Sequence, residues 1–141
     1  MANSQAFATV AKVDALKAIA PNASTINAAL YLASATTGAG NTVYTGTGEV
    51  SGTNYSAGGV AVTHATAATS TGTTAFWTPS ASIVYTNVTL STAFDCVMLY
   101  DVSRSNATIS THTFGSQTVT AGTFTLTMPT NDATTGLVRI A

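Results

Sequence analysis

The sequence predicts a mainly β fold: a β-sandwich or jelly roll of about eight strands with one N-terminal α-helix. Three observations predict it. Apolar and polar residues alternate over short segments, as in VAVTH (60–64) and TFTLTM (123–128). Such segments recur at spacings of roughly 8–12 residues, with Gly, Pro, Asn and Ser between them. Threonine, which suits a pleated and half-buried surface, makes up about a fifth of the 141 residues. At this length the chain reads as one globular domain that buries a core without metals or disulfides. Residues 1–21 form its helical arm and 22–141 its β-sandwich.

Ser4 to Ala20 reads as the helix, with Ser4 as N-cap and Pro21 as stop. Its apolar residues Phe7, Val10, Val13, Leu16 and Ile19 recur every third position. That spacing drifts around a 3.6-residue turn, so the apolar face is broad and slanted. The face either packs on its own domain or docks as an arm on a neighbouring molecule. Ile26 to Ser34 is the first strand, though its Ala and Leu also suit a helix. TTGAGN (36–41) is a loop by its glycines, and Val43 to Thr45 is a short strand candidate. Glu49 to Ser51 and Gly59 to His64 read as strands flanking two glycine turns. Thr66 to Thr74 is a loop or a weak strand.

Ala75 to Trp77 and Ile83 to Leu90 follow as strands, separated by Pro79, which a central strand does not tolerate. Phe94 to Val102 is the strongest strand. Its middle is apolar on both faces, which places it centrally in a sandwich. Ser103 to Asn106 turns the chain into a partner strand, Ala107 to Phe114. Gly115 to Gln117 reads as a further turn, Thr123 to Met128 as a strand, Asn131 to Gly136 as a loop and Leu137 to Ile140 as a last short strand. Charged residues that would guard sheet edges are scarce, so the helix or neighbouring subunits are expected to cover them.

Charged residues make up 6% of the chain and the net charge is −1, where soluble domains carry about 25% charge. A polar but nearly uncharged surface suits a protein packed against neighbours. Lys12, Lys17, Arg104 and Arg139 form no basic patch, so no nucleic-acid partner is expected. No apolar run reaches the length of a membrane span. The N-terminal MANSQAFATVAKVD has neither the basic nor the apolar region of a secretory signal. Synthesis and retention in a cytoplasm are therefore expected. Cys96 is the only cysteine and reads as a small buried hydrophobe.

No catalytic constellation stands out. His64 and His112 are isolated and read as surface or interstrand residues rather than metal ligands. Asp95 and Asp101 share a strand face about 20 Å apart, too far for paired acid–base work on one bond. Asp132 reads as a turn-shaping residue. No nucleophile elbow occurs, and the glycine-rich stretches lack the lysine and helix of a phosphate loop. Asn22, Asn54, Asn87 and Asn106 begin glycosylation sequons that a chain rich in Asn, Ser and Thr produces by chance. No cofactor, no metal and no enzymatic activity are expected.

The stretch Gly48 to Thr63, GEVSGTNYSAGGVAVT, resembles an EVSG-x-x-Y segment that recurs in small bacteriophage virion proteins. A helical start leading into NAALYLASA (27–35) and the closing QTVTAGTFTLTMPTNDATTGLVRIA (117–141) extend the resemblance over most of the chain after Lys17. It implies a capsid decoration (cement), head-fibre or tail-associated protein. For a decoration protein it implies a β-rich homotrimer seated on the major capsid protein at the outer head surface, after synthesis in the host cytoplasm, with no catalytic residues. Glu49 to Gly59 would then be a fold-defining turn pair. The alternative is a head-fibre or tail module that binds a receptor or glycan. The interface candidates are Phe7, Val10, Val13 and Leu16 on the helix, Glu49 and Tyr55 in the resembling segment, and Trp77. Trp77 reads first as core, and otherwise as a subunit contact or a stacking platform for sugar.

Overall fold

The structure, a computed structural model, describes residues 3–20 and 23–141. Pro21, expected to stop the helix, and Asn22 of the first sequon lie outside the described residues. The fold is mainly β with one helix, as the sequence predicts. One helix, α1 (Thr9–Ile19), precedes seven strands: β1 (Ile26–Leu32), β2 (Val60–Ala61), β3 (Thr69–Thr71), β4 (Thr74–Trp77), β5 (Ile83–Asp101), β6 (Ala107–Leu126) and β7 (Val138–Ile140). They form two antiparallel sheets, ordered β2-β1-β5-β6 and β3-β4-β7.

The expected separate strands at Ile83–Leu90 and Phe94–Val102 are one strand, and so are those on either side of Gly115. Ser91–Ala93 and Gly115–Gln117 are bulges where pairing slips, not turns. From Cys96↔Thr113 to Phe94↔Gln117, β6 takes four steps to two in β5; from there to Leu90↔Val119, β5 takes four to two in β6. Single-residue slips fall beside Asn87 and Ala121, both at positive φ, and between Leu99 and Tyr100, where β6 takes two steps to one in β5. Bulges bend a strand and increase its twist. Phe114 and Phe124 are ten positions apart on β6, about 33 Å in a flat strand. Their ring centroids nevertheless lie 5.5 Å apart. The hairpin therefore curls back on itself, without closing into a barrel. Phe94 sits in the bend, edge-on to Phe114 and Phe124 with centroids at 6.0 and 5.0 Å.

Two cores result. The larger gathers Leu16, Ile26, Leu30, Trp77, Ile83, Tyr85, Phe94 and Leu99 between the curled hairpin, the small sheet and the helix. The smaller lies on the opposite face of β1 and β5 and contains Ala29, Tyr31, Cys96, Met98 and Tyr100, with Tyr44 and Ala35 against it. The Phe94–Asp101 half of β5 is therefore covered on both faces, as its double apolar pattern predicts. Asp101 ends the strand by accepting a hydrogen bond from the Ser103 amide at 2.8 Å, which caps a single 3₁₀ turn at Val102–Arg104.

The helix begins at Thr9, later than expected, and its N-cap is Ala8, without a side-chain cap. Ser4 caps nothing, because residues 3–8 find no surface to bury against. Helix order starts where Lys12, Val13 and Leu16 reach β3 and β4. Lys12 lays its stem along the core and donates from Nζ to the Thr73 carbonyl at 2.9 Å. At the other end the Arg104 guanidinium donates to the Ile19 carbonyl at 3.0 Å, a cation on a helix C-terminus.

The strand expected at Glu49–Ser51 is a single bridge, Tyr31↔Glu49, and the one at Gly59–His64 shrinks to β2. Val43 likewise makes one bridge, to Ala107. Phe94→Ala should remove the wedge inside the bend. It should cost about 3–5 kcal/mol by urea denaturation, while Phe7→Ala on the exposed arm should change stability by less than about 0.5 kcal/mol.

Candidate functional site

The most organised polar cluster is built on Glu49. Backbone bonds from Leu32 N to the Gly48 carbonyl (2.9 Å) and from Val50 N to the Leu30 carbonyl (3.0 Å) flank the Tyr31↔Glu49 bridge. They hold the Glu49 backbone against β1. One carboxylate oxygen, Oε2, accepts from the Tyr44 hydroxyl at 2.5 Å. The other, Oε1, accepts from the Tyr55 hydroxyl and the Gly58 amide, both at 2.7 Å. Tyr44 packs on the smaller core and Tyr55 on the larger. A single carboxylate thus ties both cores together through charge-assisted hydrogen bonds, the stronger kind.

Glycine makes this closure possible. A Cβ on Gly59, at φ +77°, would stand 1.7 Å from the Ala28 carbonyl oxygen. Only a bare backbone in the left-handed region lets the Ser56–Gly59 turn lie flat on β1. Gly58 also accepts the Tyr100 hydroxyl on its carbonyl at 2.7 Å.

All five tyrosines of the chain meet here. Tyr31 donates to the Thr45 carbonyl at 2.5 Å and Tyr85 to the Ala28 carbonyl at 2.8 Å, while the Tyr55 oxygen also accepts from Leu30 N at 2.9 Å. Tyr44 stacks on Tyr100 with centroids 4.7 Å apart, and Tyr55 on Tyr85 at 6.0 Å. Burial is the first cause that raises each hydroxyl's pKa, and the Glu49 charge adds to it. Tyr31 is pushed up from 10.0 to about 12. Every hydroxyl donates its proton to a protein acceptor, so the cluster is a clasp that ties the loop to the sheet.

Comparison with family models, curated proteins and solved structures finds no match to this chain.

The seven interface candidates do not form one patch. Leu16 and Trp77 are each 1% exposed and belong to the larger core, and Val13 packs half-buried against it. Trp77 offers no stacking face for a sugar, because β3, β7 and the helix enclose its strand. Glu49 and Tyr55 are half-buried in the clasp. Phe7 and Val10 alone stand out, at 58% and 68% exposed.

The remaining chemistry-bearing residues are dispersed. Among the described residues, no group of three or more His, Cys, Asp or Glu is placed to hold a metal, and no helix is long and apolar enough to cross a membrane. The His64 Nε2 donates to the Ser24 carbonyl at 2.9 Å. His112 Nε2 bonds the Ser110 hydroxyl at 2.8 Å, and burial lowers its pKa. Asp132 accepts from the Thr134 and Thr135 amides at 2.7 Å, shaping the turn as expected. Cys96 is buried, its Sγ 3.1 Å from the Thr37 hydroxyl.

One apolar cavity of about 140 Å³ opens where the curl of β6 brings His112–Phe114 towards Leu126–Met128. Ile83, Val97, Leu99 and Leu137 complete it. No local pattern in the residues marks it, because its walls come from positions brought together only by the bulges.

Removal of the Glu49 acceptor by Glu49→Ala should strand three donors and cost at least about 2 kcal/mol in urea unfolding. Tyr55→Phe should cost about 1–3 kcal/mol, since the Leu30 amide also loses its acceptor. The tyrosines set an alkaline limit. Below about pH 10 both states keep their phenolic protons and this stability is fully present. Above it the unfolded chain releases protons that the folded chain retains, so stability falls as pH rises through about 12. Tyrosinate absorbance should rise in one cooperative step coincident with loss of circular dichroism. A gradual rise centred near 10 with the fold intact would contradict the clasp.

Proposed function

We propose that this chain is a structural protein of a bacteriophage particle, acting by binding rather than by catalysis, and most economically as a decoration protein on the outer head surface. The observation that carries the reading is the place of the resembling segment in the fold. GEVSGTNYSAGG is the clasp itself: Glu49, Tyr55, Gly58 and Gly59 fix the long loop onto β1. In this reading the segment serves to build a β scaffold, as the resemblance implies for a turn pair without catalytic residues.

The composition supports the same reading. With 6% charged residues, the chain presents a Thr- and Ser-rich surface whose contacts are hydrogen-bonded and apolar. Salt screens such contacts little. Repeated over a shell, small contacts of this kind stabilise an assembly by mass action. The partners in this reading are the major capsid protein and further copies of the chain, in a homotrimer that matches a threefold site. The alternative receptor- or glycan-binding role loses its platform with the burial of Trp77.

Immunogold electron microscopy of native particles tests this. Label spread evenly over the heads is expected, together with a lower disruption temperature for particles stripped of the protein. Label confined to tails or to one vertex, or none on particles, would overturn the decoration role.

A further inference from the structure

Two buried ring nitrogens have no hydrogen-bond partner among the described residues, and their rings are neighbours. Trp77 is 1% exposed, and its Nε1 finds no acceptor. The Nδ1 of His64 is buried and likewise unpartnered. The two rings meet edge to face, with centroids 6.1 Å apart and planes at 68°. Their hydrogen-bonding roles are opposite. An indole nitrogen only donates. The His64 Nε2 faces the Ser24 carbonyl at 2.9 Å, and a carbonyl only accepts. Nε2 therefore carries the proton of the neutral ring, which leaves Nδ1 as an acceptor. A donor and an acceptor are thus buried close together without bonding each other, an arrangement that folded proteins rarely leave unsatisfied.

We propose that one water molecule binds between them, accepting from the Trp77 Nε1–H and donating to the His64 Nδ1. Two hydrogen bonds of about 2.9 Å each span a gap of the same order as the ring separation. The bridging atom must offer both a lone pair and a hydrogen. A halide has no hydrogen for Nδ1, and ammonium has no lone pair for the indole proton. Trp77 is enclosed, and neither residue borders the β6 cavity or the more polar pockets beside Arg139 and Asn41, so the site suits nothing larger than water. Buried waters commonly satisfy polar groups that side chains do not join directly. This one would link two parts of the fold. Trp77 lies on β4, the central strand of the smaller sheet. His64 follows β2 and holds Ser24, ahead of β1, and both strands belong to the larger sheet. The water completes a polar relay from the Ser24 carbonyl to the Trp77 indole, joining the two sheets. The loop that carries His64 is itself held, because Thr63 and Ala65 both bond Ser80. The inference does not rest on the virion reading.

Nuclear magnetic resonance of the full chain labelled with nitrogen-15 tests it. Trp77 is the only tryptophan, so its indole proton gives a single signal. A rotating-frame Overhauser cross-peak of dipolar sign is expected between that proton and a water held longer than the protein takes to tumble. Long-range nitrogen–proton spectra should place the His64 proton on Nε2 and leave Nδ1 bare. His64→Phe keeps a ring beside Trp77 but removes both nitrogens. In that variant the cross-peak should vanish and the indole proton should move upfield, with the circular dichroism retained. A crystal structure of the unmodified chain gives a reading that needs no variant: an ordered water within about 3.2 Å of both nitrogens. A proton on Nδ1, a protein oxygen bonded to the indole, direct contact between the two nitrogens, or a cross-peak that survives His64→Phe would each overturn the proposal.

Discussion

The Glu49 carboxylate is the constraint on which the arrangement of this molecule depends. The loop between β1 and β2 is long and has few regular backbone bonds of its own. Its polar groups need partners, or their burial costs more than the contacts return. One acidic side chain supplies them by accepting from two tyrosines and an amide on opposite sides of the sheet. The charge has no cationic partner in this cluster; its three donors stabilise it. Both cores thereby share one polar junction. The smaller core, with only five buried residues, depends on the loop that this junction holds down.

The curled hairpin is the second organising element, and it relies on the first. β1 pairs with only the Phe94–Asp101 half of β5. The other half is met by the loop instead, through the Thr53↔Thr89 bridge and the Asn54 side chain on the Asn87 carbonyl at 2.9 Å. The loop that Glu49 pins thus also lies along the edge that β1 leaves open. An uncharged edge is a template for aggregation. Here backbone and side-chain bonds cover part of one edge, and bulges distort β6, so few charges are needed for protection.

Much of this was legible in the residues. The double apolar pattern of Phe94–Val102 announced a strand central in the sandwich, and alternation marked Thr123–Met128, of which the strand keeps Thr123–Leu126. Ser91–Ala93 and Gly115–Gln117 were legible as interruptions but not as bulges. Small polar residues mark a departure from regular pairing, and the sequence does not say whether the chain reverses or merely kinks. Ser4 had the chemistry of an N-cap but no packing face behind it, and tertiary contact set the helix start instead. Glu49 stood out as a lone acid. Its role was within reach of local reasoning, because Tyr44, Tyr55 and Gly58 all lie within nine positions of it. The β6 cavity was not within reach, since it exists only after the strand has bent.

The alternating bulges constrain how this sequence can change in length. Excess residues fall first on one strand of the hairpin and then on the other, so distant pairs such as Ile83↔Leu126 and Leu99↔Ser110 stay in step. An insertion at Gly115–Gln117 would enlarge a distortion that already exists and leave the flanking pairs alone. An insertion between Cys96 and Leu99 would exchange the two faces of β5, because side chains alternate with a period of two. Tyr100 would then point into the larger core and Leu99 towards the loop. Drift in loop and bulge length is therefore open to descendants of this chain, while the central limb of the hairpin is closed to any single-residue change in length.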